Sequence, residues 1–366
     1  MLPRKLAYSL IPSKLVQAVQ RHRVRHSIVE GTPEGITRET LSSLCRERLG
    51  EPVRLVSYVH LSGWKSLGTF RLFIETAKGQ RWNLIYKNAM YDRSHMPALE
   101  GLPVLPGPPE YKVYRHPGCA LAAYLPEVYF CSEVIPGRHY QYLLEDVTQQ
   151  YRRVQYDRSD ILMIVSQLPA LHQAIGEWSA TAGRDHLLRF DRHFSMGLLA
   201  YAIESLERYA KETADREVSD VCRFWPEISE LYQRREYQEL SIPRPIHGDF
   251  NTANIFVHVR DSKRIKVMDW EWAGLGVVHA DLASLLKSVE PAIQQQALRA
   301  FSRLEPYLSA SDHQRLYRWC QLERGLLDAA FLAKQQMEPS TQVGWIPGYI
   351  QASMRRVLNV YQELAQ

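Results

Sequence analysis

The sequence predicts an α+β protein in which a small antiparallel sheet precedes a larger, mainly helical region. Three observations carry this: alternating apolar residues between 53 and 87, a switch to helical spacing after Asp146, and two short apolar runs set among the later helices. At 366 residues the chain can bury a sizeable core in two lobes. Apolar residues at 45% and charged residues at 23% are ordinary for a soluble globular protein. No apolar run is long enough to span a bilayer, and the first thirty residues hold no signal-peptide core, so a cytoplasmic location is expected.

The sheet is read from Val53–Val59, Phe70–Thr76 and Trp82–Lys87, a three-stranded antiparallel meander whose first connection runs from Gly63 to Gly68. Prolines and glycines make 88–109 a loop, and a short helix opening near Glu110 ends by His116-Pro117-Gly118. Strands at Pro126–Val134 and Tyr140–Val147 follow, joined by the turn Pro136-Gly137-Arg138. Ile161, Ile164, Val165, Leu168, Leu171 and Ile175 then form a helical stripe, with His172 on the same face as a core residue. Further helical patterns cover roughly 195–211, 226–239, 281–304, 311–336 and 347–364. Pro245–Val259 and Arg264–Trp270 are the strand-like runs among them. The expected divisions are a basic arm at 1–35, a sheet lobe at 36–147 and a helical lobe at 148–366.

The net charge of +5 is concentrated at one end. Arg4, Lys5, Lys14, Arg21, Arg23 and Arg25 face no acid in the first 29 residues, whereas the rest is balanced, with 39 basic and 40 acidic side chains. A nucleic-acid-binding body should be basic as a whole, so none is expected. The arm, with a short helix capped by Ser13, reads as a solvated segment, with contact to an anionic membrane surface as the alternative. Five scattered cysteines with no CxxC pair argue against disulfides and a cysteine zinc site. Thirteen histidines form no HExxH, and no GxSxG surrounds Ser284 or Ser288.

His247-Gly248-Asp249 with Asn254, then Met268-Asp269-Trp270-Glu271, carries the chemistry. Ile246 before and Ile255-Phe256-Val257 after place Asp249 on a loop between two short strands, and Lys266-Val267-Met268 delivers Asp269 to the same rim. Two carboxylates and an amide converging there suit a hard, oxygen-ligated cation. Phosphoryl transfer needs such a set: one carboxylate to orient and deprotonate a hydroxyl, with an amide and a carboxylate to hold Mg²⁺ on nucleotide phosphates. The alternative is that Asp249 and Asn254 are merely turn residues.

These residues resemble the signature of the aminoglycoside phosphotransferase and choline kinase superfamily, protein-kinase-like enzymes that phosphorylate small molecules. The resemblance spans about residues 53 to 285. It implies a bilobal protein-kinase-like fold that uses ATP (or GTP) and Mg²⁺, with Asp249 as catalytic base and Asn254 and Asp269 as metal ligands. His247 and Asp281 would support the catalytic loop. Lys87 would contact the nucleotide phosphates, oriented by Glu110, with Glu100 as rival. Gly63, Ser66 and Gly68 fit a loop over the phosphates, which is not a Walker loop. Leu143 to Val147, with Glu145 and Val147, would form the hinge that receives the base.

The expected acceptor is a small hydroxyl compound such as an amino alcohol, a sugar, an aminoglycoside or another natural product. Tyr317, Trp319, Trp345 and Tyr349 are read as core residues before pocket lining, though aromatics such as Trp319 could hold a cationic acceptor. The rival functions are a nucleotide-binding pseudokinase and an adaptor acting through the basic arm. The oligomeric state is not set by these residues.

Overall fold

The computed structural model describes residues 28–62, 68–90, 109–182, 187–337 and 344–365. Residues 1–27 of the expected basic arm, with its short helix, lie outside them, as do Gly63, Ser66 and Glu100, whereas Val29–Glu30 of that arm pair with the sheet. A bilobal α+β fold results.

The first lobe is a six-stranded sheet with spatial order β1-β2-β3-β4-β6-β5. Its strands are β1 (Val29–Glu30), β2 (Val53–Ser62), β3 (Gly68–Thr76), β4 (Arg81–Met90), β5 (Val128–Ile135) and β6 (His139–Glu145). The meander is therefore part of a larger sheet, in which β4 pairs with β3 on one side and β6 on the other. Lys87 does not end its strand, since β4 runs on to Met90. Strict alternation buries every second residue of β3, and Phe70, Leu72 and Ile74 among them share a core with Leu41 and Cys45 of helix α1 (Arg38–Leu49). That helix was not expected. Only Leu41 and Cys45 of its residues are buried, too few for an apolar stripe, yet Thr37 caps its start and Gly50, in the left-handed region, its end.

Helices α2 (Pro109–Arg115) and α3 (Gly118–Ala122) lead into β5. After β6 and a 3-10 turn, β7 (Tyr151–Arg153) enters the helical lobe, where α4 (Arg158–Ala182) carries the expected stripe. Next come β8 (Leu188–Arg189), α5 (Arg192–Thr213), α6 (Arg216–Arg223), α7 (Trp225–Gln233) and α8 (Arg235–Leu240). The helical pattern at 226–239 is broken at Arg234, whose backbone is extended.

The run Pro245–Val259 is two strands in different sheets. β9 (Arg244–Ile246) pairs with β12 (Gly274–Gly276), whereas β10 (Ile255–His258) lies between β7 and β11 (Ile265–Val267). The chain continues through α9 (His279–Leu286), α10 (Pro291–Leu304), α11 (Ala310–Met337) and α12 (Ile346–Ala365). The run at 281–304 splits because Pro291, lacking a backbone N–H, opens a new helix.

One apolar core joins Tyr111, Tyr140 and Tyr142 of the first lobe to α4, Phe250, Val267 and α9. A second packs α5, α6 and α7 against α11 and α12. Among the described residues no helix is long and apolar enough to cross a membrane.

Candidate active site

Ile246 closes β9 and Ile255 opens β10, so residues 247–254 must carry the chain from one sheet to the other. Gly248 makes the turn at φ 78°, and a Cβ there would collide with the carbonyl oxygen of Trp272. The turn's backbone is anchored by Asp281 of α9, fully buried, whose Oδ2 and Oδ1 accept from His247 N and Gly248 N at 2.8 Å each. His172 Nε2 donates to Asp281 Oδ2 at 3.0 Å, giving this core histidine a partner. Burial opposes the Asp281 charge, but His172, then His247, hold its carboxyl below the usual range.

His247 is also fully buried, and burial lowers its pKa despite Asp281 and Asp269. It is therefore neutral, and its partners define the tautomer: Nδ1 accepts from Asp249 N at 3.3 Å and Nε2 donates to Met268 O at 3.1 Å. One ring thus ties the 247–254 loop to the strand end carrying Asp269.

Asp249 is held at both oxygens, Oδ1 accepting from Asn251 Nδ2 at 3.0 Å and Oδ2 from Asn254 Nδ2 at 2.9 Å. Burial pushes its pKa up to about 6, opposed by Arg324 and Lys287 and assisted by Asp269 and Asp328. A quarter of its side chain remains open to a cavity, so the shift reflects enclosure in a cleft rather than packing among apolar atoms.

Asn254 O accepts from Met268 N at 2.9 Å, and Ile255 faces Val267, so the β10–β11 ladder sets Asn254 and Asp269 at one end. Both Nδ2 bonds of Asn254 go to Asp249, which leaves its Oδ1 as a hard acceptor among the described residues. Asp269 takes the left-handed region at φ 69° and ψ 64°, a strained conformation of the sort that concentrates at functional sites.

Lys87 of β4 reaches this strand end from the other lobe. Its Nζ lies 2.9 Å from Asp269 Oδ1 and 2.6 Å from Glu110 Oε2 at the start of α2. Burial works against its charge, yet Asp269, then Glu110 and Glu271, hold its pKa well above the ordinary value. Glu110, one of the two glutamates weighed as its partner, meets it, and Glu100 lies outside the described residues.

Gly68 opens β3 at φ 117°, where a Cβ would press on His60 and Phe70. Glu145 ends β6 and exchanges bonds with Glu127, its N donating to Glu127 O at 2.9 Å and its Oε2 accepting from Glu127 N at 3.1 Å. Val147 is buried in the following 3-10 turn. Between them Asp146, part of the same expected hinge, is buried and paired with Arg71 at 2.7 Å.

A cavity of about 200 Å³ opens beside Asp249 and Asp269, walled by Gly248, Trp272, α5 and α11. Two cationic groups in it, Arg324 and Lys287, escaped the sequence reading. Arg324 of α11 donates from Nη2 to Gly248 O at 2.6 Å, with Nη1 3.7 Å from Asp249 Oδ1. Lys287 pairs with Asp328 at 2.9 Å, and Glu323 lines the wall beside them. No spacing could have found Arg324, 76 residues from its partner on a helix facing the loop only through tertiary packing. Trp319 does not line the cavity. It is buried against Tyr237, ring centroids 4.8 Å apart, and Tyr317, Trp345 and Tyr349 are likewise absent from the lining.

A search of curated proteins by sequence returned no match. Among solved structures, choline kinase LicA from Streptococcus pneumoniae superposes with a TM-score of 0.52 at 12% identity, covering 89% of this chain and 98% of that one. A choline/ethanolamine kinase family protein from Mesorhizobium loti superposes at 0.53 and 13% identity, covering 88% and 93%. The GDP complex of an aminoglycoside 2′-phosphotransferase-IIIa variant gives 0.50 at 12%, covering 90% and 97%. At such identities these likenesses speak for the fold. The profile of the phosphotransferase enzyme family matches residues 137–322, half of the chain, and includes the loop of Asp249, the strand end of Asp269 and Asp281. The chain belongs to the phosphotransferase enzyme family (APH).

Proposed function

We propose that the protein is an ATP- and Mg²⁺-dependent kinase that moves the γ-phosphoryl group to a hydroxyl of a small molecule. The observation that carries this reading is that Lys87 Nζ lies 2.9 Å from Asp269, which lines the same cavity as Asp249. Asp249 orients the acceptor hydroxyl and takes its proton, its own carboxylate fixed by Asn251 and Asn254. His247 and Asp281 keep its loop in place. Asn254 Oδ1 and Asp269 are hard oxygen donors at one ladder end, a set that suits Mg²⁺ bound partly through phosphate oxygens. Bound there, the ion would neutralise charge developing on the phosphates.

Lys87, oriented by Glu110, adds a second positive charge toward those phosphates. Residues 36–147 form the nucleotide lobe in this reading. Backbone groups at Gly63, Ser66 and Gly68 cover the phosphates, and Glu145 to Val147 receive the base, adenine or guanine. Residues 148–366 supply the catalytic loop and the acceptor cavity. Crystals of LicA with AMP and of aminoglycoside 2′-phosphotransferase-IIIa with GDP support nucleotide use on this fold.

The test is coupled ADP release across small hydroxyl compounds, with Asp249→Asn as the blank. The proposal expects release that requires both acceptor and Mg²⁺ and vanishes in the variant. Equal release by the variant would refute it.

A further inference from the structure

We infer that Arg324 is a positioning residue for the transfer: through it α11, a wall of the acceptor cavity, holds the catalytic loop and directs the Asp249 carboxylate. This rests on the reading that Asp249 receives the acceptor hydroxyl.

One guanidinium meets the loop at two points. Nη2 donates to Gly248 O at 2.6 Å, and Nη1 stands 3.7 Å from Asp249 Oδ1, at ion-pair range. Gly248 O belongs to the peptide that leads into Asp249, and the N–H of that same peptide donates to His247 Nδ1 at 3.3 Å. The peptide plane is thus held at both ends, by a ring inside the loop and by a cation from a distant helix. Asp281 holds the preceding peptide, accepting from Gly248 N at 2.8 Å. The other partners of the Asp249 carboxylate, Asn251 and Asn254, belong to the loop itself. Arg324 ties the carboxylate to the body of the lobe.

Helix α11 makes that tie firm. Leu322 and Leu326, on either side of Arg324 in the helix, are fully buried. Arg324, Leu327, Asp328 and Phe331 follow at helical spacing and line the cavity from one face. The helix that bounds the acceptor therefore also reaches its base. Burial works against the Arg324 charge, but Asp328, one turn on, then Asp249 and Glu323, keep its pKa above the ordinary value. With Arg324 on Asp249 and Lys287 on Asp328, the guanidinium is matched by carboxylates, which suits a clamp and not a cation waiting for substrate.

Orientation is what such a clamp contributes. A carboxylate displaced by about 1 Å from the hydroxyl it serves loses on the order of 10²-fold in rate. Methionine fills much of the space of arginine and donates no N–H. Lysine restores the charge and a donor, but not the planar fork.

Arg324→Met and Arg324→Lys are compared with wild type as full chains, using whichever small hydroxyl compound releases ADP fastest. The stoichiometry of Mg–AMP-PNP binding counts the folded molecules, so loss through misfolding is removed from kcat. Arg324→Met should lower kcat by ~30-fold or more while acceptor KM and nucleotide affinity stay within about threefold. Arg324→Lys should recover about fivefold or more of that loss. The inference is overturned if kcat of Arg324→Met stays within about threefold of wild type, if the loss falls on acceptor KM, or if lysine recovers nothing. If wild type transfers to no compound, the kinase reading fails on its own, and hydrogen exchange of the ligand-free chain decides the clamp. Amides of residues 247–254 should then exchange ~10-fold or more faster in Arg324→Met than in wild type, and equal rates would overturn it.

Discussion

Lys87 Nζ lies between Asp269 Oδ1 at 2.9 Å and Glu110 Oε2 at 2.6 Å, so one ammonium joins three segments: β4, the start of α2 and the strand end after β11. Glu110 is 1% exposed and Asp269 6%, so the cluster is taken out of water and its charges depend on one another.

Removing the cation should therefore harm the fold as well as the activity. Lys87→Met leaves two buried carboxylates facing each other and should cost about 3 kcal/mol at neutral pH by urea denaturation, within the range for breaking a buried pair. Transfer should fall by roughly 10²-fold or more. A variant of wild-type stability would mean that the cluster is more hydrated than its burial indicates.

Asp249 predicts two pH dependences of opposite sense. A base with a pKa of about 6 is protonated below that pH, so kcat/KM should fall about tenfold per pH unit below it and level off above. For the ligand-free fold the raised pKa works the other way. The stability it contributes is full below the unfolded value of 3.8 and is lost as pH rises through about 6. The loss should be about 1–2 kcal/mol, since the side chain is a quarter exposed. Asp249→Asn should remove this slope from a denaturation series and should lower kcat by ~10³-fold or more while leaving nucleotide affinity within about threefold.

Gly248→Ala combines an unfavourable positive φ with a collision against Trp272 O. Backbone cannot give way as a flexible side chain can, so the variant should lose about 3 kcal/mol or more and most of its turnover. Circular dichroism melts and ADP release measure both. A melting curve matching wild type would contradict the turn described here.

His279 provides an acid-sensitive element away from the cavity. It donates from Nε2 to His313 Nδ1 at 2.8 Å, and His313 Nε2 donates to Glu305 O at 2.7 Å. Burial, then His313, lowers the His279 pKa from 6.5 to about 3. The linked stability is complete above 6.5 and is lost as pH falls toward 3, at up to about 1.4 kcal/mol per pH unit. His279→Gln should flatten the acid limb of the stability curve, and an unchanged slope would assign it to other groups.

Much of the helical lobe and the loop of Asp249 were legible because they are written locally. Alternation marks β3, the stripe on α4 runs for several turns, and His247 to Asn254 lie within one loop. The parts that escaped depend on distant partners. Helix α1 buries two side chains, so capping rather than periodicity defines it. Pro245–Val259 reads as one run although β9 and β10 belong to different sheets, since sheet membership is settled by partners elsewhere in the chain. Arg324 and Asp328 sit on α11 and Lys287 just past the end of α9, and only packing aims them at the cavity.

Calorimetric titration of Mg–AMP-PNP into wild type, Asp249→Asn and Asp269→Ala tests the central claim most directly. The account predicts Mg²⁺-dependent binding by wild type and Asp249→Asn, and its loss in Asp269→Ala. Equal binding by all three, or binding indifferent to Mg²⁺, would contradict it.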